Sequence, residues 1–168
     1  MVIIEDTRNQ PGKHRNINAY FAHCGHKVVR SKMLVGDYQL ANDGRIAIDT
    51  KSGVLELIAD MYKQHDRFRR ECELAQEAGI QLIILTEEVL PGGRLDKWQS
   101  PVWKSTTRTH RVGEPMSKAD PARLRKALYT MQERYGVRFL FCDPRSTGKR
   151  IIEILTEGIG HDDQGCGR

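Results

Sequence analysis

The sequence predicts an α/β fold, a sheet with helices on both faces, and three observations carry that expectation. Residues 80–86 (Ile-Gln-Leu-Ile-Ile-Leu-Thr) form a nearly continuous apolar run, the mark of a strand buried on both sides. Strand-like and helix-like patterns alternate through the second half of the chain. Two stretches near residues 38 and 48 instead alternate apolar with polar residues, the period of a strand with two unlike faces.

The elements follow in order. Residues 2–4 form a short apolar strand, and Gln10-Pro11-Gly12 is a turn. Residues 16–23 form a helix with Ile17, Tyr20 and Phe21 on one face, ended at Gly25. Residues 27–30, 38–41 and 46–51 are strands. Ser52-Gly53 opens one long helix through about residue 78, with Leu55, Ile58, Met61 and Tyr62, then Phe68, Cys72 and Ala75, at helical spacing; Gly79 caps it. After the strand at 80–86, residues 87–116 form a long irregular loop containing Pro91-Gly92-Gly93, Pro101 and Pro115, a length that points to function or mobility. A helix spans 121–135, with Asp120 as N-cap and Pro121 at its first position. A strand at 137–142 and a helix from Ser146 or Thr147 to about residue 157 complete the domain, assigned to 1–158; residues 159–168 read as a disordered tail.

The chain of 168 residues suits one domain with a real core: 39% of its residues are apolar and 29% charged. No apolar run is long enough to span a bilayer, and Met1-Val2-Ile3-Ile4-Glu5-Asp6 lacks the basic flank of a signal peptide. Cys24, Cys72, Cys142 and Cys166 form no C-x-x-C pair, so free thiols in a reducing, intracellular (cytoplasmic) setting are expected; Cys24 and His26 lack partners for zinc. The net charge is +5, and its placement is uneven. Residues 8–32 hold Arg8, Lys13, Arg15, Lys27, Arg30 and Lys32 with no acid, and residues 104–126 hold seven cations against Glu114 and Asp120. Such stretches suit a polyanion, although a solvated basic face has the same composition.

The chemistry concentrates at Gly36-Asp37-Tyr38 and Ile48-Asp49-Thr50-Lys51. Alternation puts Tyr38, Leu40, Ile46 and Ile48 on one face and Asp49 and Lys51 on the other. A two-residue loop at Asp43-Gly44 would set Asp37 opposite Thr50, on the wrong side. A three-residue loop, Asn42-Asp43-Gly44, with Gly44 left-handed, sets Asp37 opposite Asp49, and that form is expected. Two carboxylates on neighbouring strands repel unless a cation lies between them, and such a donor pair suits Mg2+ or Mn2+. Lys51 beside them is placed to orient or help deprotonate an attacking water, or to neutralise charge on a phosphate.

The order of these phrases resembles the nuclease domain of the XPF family of structure-specific endonucleases, a branch of the PD-(D/E)XK superfamily. That family opens with an apolar strand ending in D-x-R-E, continues with G-D, and then has E-R-K before a helix. The matching stretches are Asp6-Thr7-Arg8-Asn9, Gly36-Asp37 and Asp49-Thr50-Lys51, continuing through Asp66, Arg67 and Glu71 to the strand at 80–86. Asn9 stands for the family's glutamate, and Asp49 and Thr50 for its glutamate and arginine. The resemblance implies a restriction-endonuclease-like, three-layer α/β/α fold with a central mixed sheet, and metal-dependent cleavage of DNA, with branched or flap structures as candidate substrates. It implies metal binding by Asp37 and Asp49, catalytic roles for Lys51 and Asp6, and DNA contacts by Arg8 and Arg67, with Glu71 in support. Lys13 and Arg15 of the basic segment join the DNA-binding set. A homodimer is implied, and a non-catalytic DNA-binding module on the same fold is the alternative. No helix-hairpin-helix module of the kind the family commonly uses is recognisable; the basic N-terminal segment and residues 94–118 are the candidates to take its place.

Other features read as structural. Trp98 and Trp103 are expected to pin the long loop to the body, Arg69 and Arg70 to pair with acids along a helix, and Met131 and Tyr135 to be core. Ser146-Thr147-Gly148-Lys149 lacks the first glycine of a phosphate loop, and neither His14 nor His26 has a metal-ligand spacing.

Overall fold

The computed structural model describes residues 1–158; the expected tail and Cys166 lie outside them. Six strands form one mixed sheet in the order β2-β1-β3-β4-β5-β6: β1 (Val2–Asp6), β2 (Lys27–Ser31), β3 (Tyr38–Leu40), β4 (Asp43–Lys51), β5 (Gln81–Thr86) and β6 (Arg138–Phe141). β3 runs antiparallel to β1 and β4, while β1–β2, β4–β5 and β5–β6 are parallel. α2 (Val54–Tyr62), α3 (His65–Glu77) and α4 (Pro121–Tyr135) cover one face, and α1 (Arg15–His23) and α5 (Thr147–Glu157) the other. This is the expected three-layer α/β/α arrangement.

Strand alternation builds the two cores. In β5, Leu82 and Ile84 enter the core under α2–α4, while Ile83 and Leu85 enter the core under α1 and α5. All four are buried, so the continuous apolar run is explained by a strand covered on both sides. In β4, Ala47 faces the first core and Ile48 the second, where it meets Tyr38. Asp120 caps α4 by accepting from the Ala122 N–H, and Gly136 ends it in the left-handed conformation. Among the described residues Cys24, Cys72 and Cys142 are free thiols, and no helix is long and apolar enough to cross a membrane.

Two expectations are corrected. The long helix after Ser52 is two helices, α2 and α3, separated at Lys63 and Gln64. Met61 and Phe68 lie two helical turns apart in sequence, so a broken and an unbroken helix give the same apolar spacing. Five consecutive polar residues, 63–67, leave nothing at the break to bury. The β3–β4 connection is also not Asn42-Asp43-Gly44. Leu40 pairs with Asp43 across Ala41-Asn42, and an irregularity shifts the register before Tyr38, which lies opposite Ile48. That last pairing is the register a three-residue loop would have produced, so a bulge delivers what the loop was expected to deliver. Gly44 is not left-handed, and the Asp43 side chain instead braces the turn through Arg45.

Candidate active site

The carboxyl end of β4 carries Asp49, Thr50 and Lys51, all buried. Asp49 and Lys51 share the face under α2 and α3, as alternation required, and Lys51 Nζ lies 2.6 Å from Asp49 Oδ2. The same ammonium lies 2.6 Å from Asp60 Oδ2, and Asp60 Oδ1 accepts from Arg67 Nη2 at 3.0 Å. Asp60 was not foreseen. It sits among Leu57, Ile58 and Met61 on the buried side of α2 and is 2% exposed. Its only signal in the sequence is an acid at a position of the apolar stripe, where a carboxylate requires a partner.

Asp37 reaches the same strand end from the rim of the sheet. Its Oδ2 accepts from the Thr50 N–H at 2.8 Å and the Thr50 hydroxyl at 2.6 Å, and its Oδ1 accepts from Asn9 Nδ2 at 2.9 Å. The preceding glycine makes this approach feasible. Gly36 has φ +72°, and a Cβ there would sit 3.0 Å from the Ile48 carbonyl oxygen. Its N–H donates to Glu71 Oε1 from α3 at 3.0 Å. His14, just before α1, is buried with its ring edge-on to Tyr38 and its Nε2 3.9 Å from Asp37 Oδ2. No spacing in the sequence singled it out, because chain folding alone brings the turn before α1 to the end of β3.

Asp6 is buried at the end of β1 and holds Arg8: Oδ1 accepts from the Arg8 N–H, and Oδ2 is ion-paired with the guanidinium, which is 55% exposed. Asp6 thus positions Arg8. Arg67 likewise leans on Asp60 with its side chain 65% exposed. Lys13 and Arg15 are exposed and line a cavity of about 470 Å3 with His14, Tyr20, Glu87 and Gly148. Trp98 is buried and anchors the long loop as expected, whereas Trp103 stacks on His110 within that loop. Arg69 pairs with Glu73, and Met131 and Tyr135 are core.

The electrostatics separate the two strand-end carboxylates. Burial pushes Asp49 up to about 7, with Asp37 and Glu71 acting in the same direction and Lys51 opposing. Burial also opposes ionisation of Asp37, but the Thr50 and Asn9 hydrogen bonds outweigh it and bring its carboxyl below the ordinary range. Burial would likewise strip the proton from Lys51, yet Asp49 and Asp60 more than offset this and hold the ammonium charged. Lys51 is therefore suited to stabilise negative charge and unsuited to deprotonate a water. No group of three or more His, Cys, Asp or Glu side chains converges as a metal cage among the described residues. What is present is a pair of carboxylates in a locally acidic, buried setting. That pair suits an ion that keeps most of its waters, as Mg2+ does.

Solved structures share this fold. XPF from Aeropyrum pernix superposes with a TM-score of 0.63 at 16% identity, covering 96% of this chain and 66% of its own length. XPF from Aeropyrum pernix in complex with DNA superposes with a TM-score of 0.62 at 18% identity, covering 93% and 63%. The chain thus spans just under two thirds of the length of either structure. No protein-family model and no curated protein matches the sequence.

Proposed function

We propose that this chain, whose fold is that of the XPF nuclease domain, is a metal-dependent DNA endonuclease that hydrolyses phosphodiester bonds. One observation carries the proposal: a buried ammonium, Lys51, clamped between Asp49 and Asp60 next to the Thr50–Asp37 contact, at the carboxyl end of β4. The DNA-bound neighbour of the same fold supports the choice of DNA. Asp37 and Asp49 are the proposed ligands of Mg2+ or Mn2+, which when bound supplies an acidified water and charge neutralisation at the phosphate. Lys51 orients the phosphate and stabilises its developing charge. Arg8 and Arg67, anchored at their inner ends by Asp6 and Asp60, present guanidinium groups to neighbouring phosphates. A homodimer acting on intracellular DNA belongs to the same proposal; sedimentation of the protein with and without DNA tests the dimer.

The second reading is a DNA-binding module without catalysis, and one observation favours it. Asp37 is satisfied by three donors and Lys51 by two carboxylates, so the protein's own groups hold both side chains. Incubation of linear, nicked, flap and branched DNA with Mg2+ or Mn2+ separates the two. The parent is expected to cut at least one substrate, and Asp49→Asn and Lys51→Met to cut about 10²-fold or more slowly while still binding DNA. Equal cutting by both variants overturns the assignment of the site. Binding by the parent with no cutting at all selects the second reading.

A further inference from the structure

The long loop after β5 carries a built arm. Residues 101–116 form a narrow hairpin: Met116 N–H donates to the Pro101 carbonyl at 2.7 Å, Trp103 N–H to Glu114 at 2.9 Å, Gly113 N–H to Trp103 at 2.9 Å, and Val102 bridges Pro115. Nearer the tip, Thr107 N–H donates to the His110 carbonyl at 2.8 Å, and the Trp103 and His110 rings stack at 3.5 Å, 16° from parallel. The arm is braced by its own atoms while most of its residues are exposed, Val112 at 62%. An ordered segment that buries so little of itself has its shape for a purpose other than core packing.

Its chemistry indicates the purpose. Between residues 97 and 113 there is no acid, and the tip reads Lys104-Ser105-Thr106-Thr107-Arg108-Thr109-His110-Arg111, cations interleaved with hydroxyls. Lys104, Arg108 and Arg111 are exposed and make no ion pair among the described residues. Cations and hydroxyls are the groups that contact nucleic-acid phosphates. The root of the arm is tied to the candidate active site. Trp98 Nε1 donates to Glu88 Oε1, Glu88 Oε2 accepts from the Val54 N–H at the start of α2, and Glu87 N–H donates to the Lys51 carbonyl at 2.8 Å.

We infer that residues 101–116 are a phosphate-gripping arm that holds duplex DNA flanking the cleavage site. The inference rests on the DNA reading above. His110 stacks on one face of Trp103, which braces the arm, and the groups the arm offers to DNA are cations and hydroxyls that contact phosphates. The grip is consequently indifferent to sequence, and its energy is that of counterion release.

The test is fluorescence anisotropy with a labelled duplex, in chelator, over a salt series, comparing the parent with a Lys104→Gln/Arg108→Gln/Arg111→Gln variant. Thermal melts of the two proteins are expected to coincide. The slope of log affinity against log salt is expected to shrink by about 2 to 3, one contact per lost charge, with affinity down about tenfold or more at low salt. An unchanged slope and affinity, in a parent that binds DNA, overturns the arm and leaves the nuclease reading standing. A loss seen with RNA and not with DNA overturns the assignment of partner. A parent that binds no DNA at any salt overturns both.

Discussion

Asp37 and Asp49 are the same residue type at the same end of the sheet, and their surroundings drive them apart. Asp37 meets three donors, two from Thr50 and one from Asn9, and stays ionised below the ordinary carboxylate range. Asp49 meets burial, two neighbouring acids and a single ammonium that it shares with Asp60, and rises to about 7. Hydrogen bonds from neutral donors stabilise a carboxylate locally; a shared cation leaves a surplus of negative charge. That surplus, on the Asp49 side, is what a divalent ion would relieve.

The largest effect tests the shared cation. Lys51→Met leaves Asp49 buried without a counter-charge and Asp60 with Arg67 alone, and is expected to cost about 3–5 kcal/mol in urea unfolding at neutral pH. The loss is expected to shrink in acid as the carboxylates protonate. A cost below about 1 kcal/mol would show that the carboxylates do not depend on the ammonium.

Next in size is the geometry that delivers Asp37. Gly36→Ala combines a left-handed backbone with a Cβ 3.0 Å from a carbonyl oxygen, and is expected to cost about 1–3 kcal/mol. Glycine at that position is thus required by the way Asp37 meets Thr50. A variant as stable as the parent would mean that this segment relaxes freely.

The pH dependence probes the contrast directly. Asp49 has its folded pKa raised to about 7, so between the unfolded value of about 4 and 7 the folded state holds a proton that the unfolded state has released. Its contribution is therefore full below about pH 4 and is lost as pH rises through 7. Asp37 has the opposite sign: its contribution is present above the ordinary carboxylate range and is lost as pH falls through its depressed value. In metal-free buffer, Asp49→Asn is expected to flatten the decline in stability between about pH 4 and 8. If parent and variant track each other across that range, Asp49 is not raised. The smallest effect is Asn9→Ala, which removes one of the three donors to Asp37 and is expected to cost about 1 kcal/mol in the same melts.

Legibility in the sequence followed the range of the contacts. β5 was readable because a strand buried on both faces must be apolar at every position, and α4 because Asp120, Pro121 and Gly136 mark its ends locally. The shared face of Asp49 and Lys51 was readable because residues two apart on a strand cannot do otherwise. Asp60 was not, since an acid in an amphipathic helix looks the same whether it meets water or a buried lysine. Neither the α2–α3 break nor the shift between Tyr38 and Leu40 alters the apolar period, so neither left a mark.

By itself, then, the sequence determined the alternation of the strands, the caps, the charge of the loop arm, and the placing of Asp49 and Lys51 on one face. These are consequences of backbone geometry over a few residues. Only the tertiary structure decided that Lys51 lies between two carboxylates, that Thr50 holds Asp37, that Asp60 aims Arg67, and that His14 comes to the rim. Each of those contacts joins different elements, and it exists because burying both faces of the sheet sets how the layers pack.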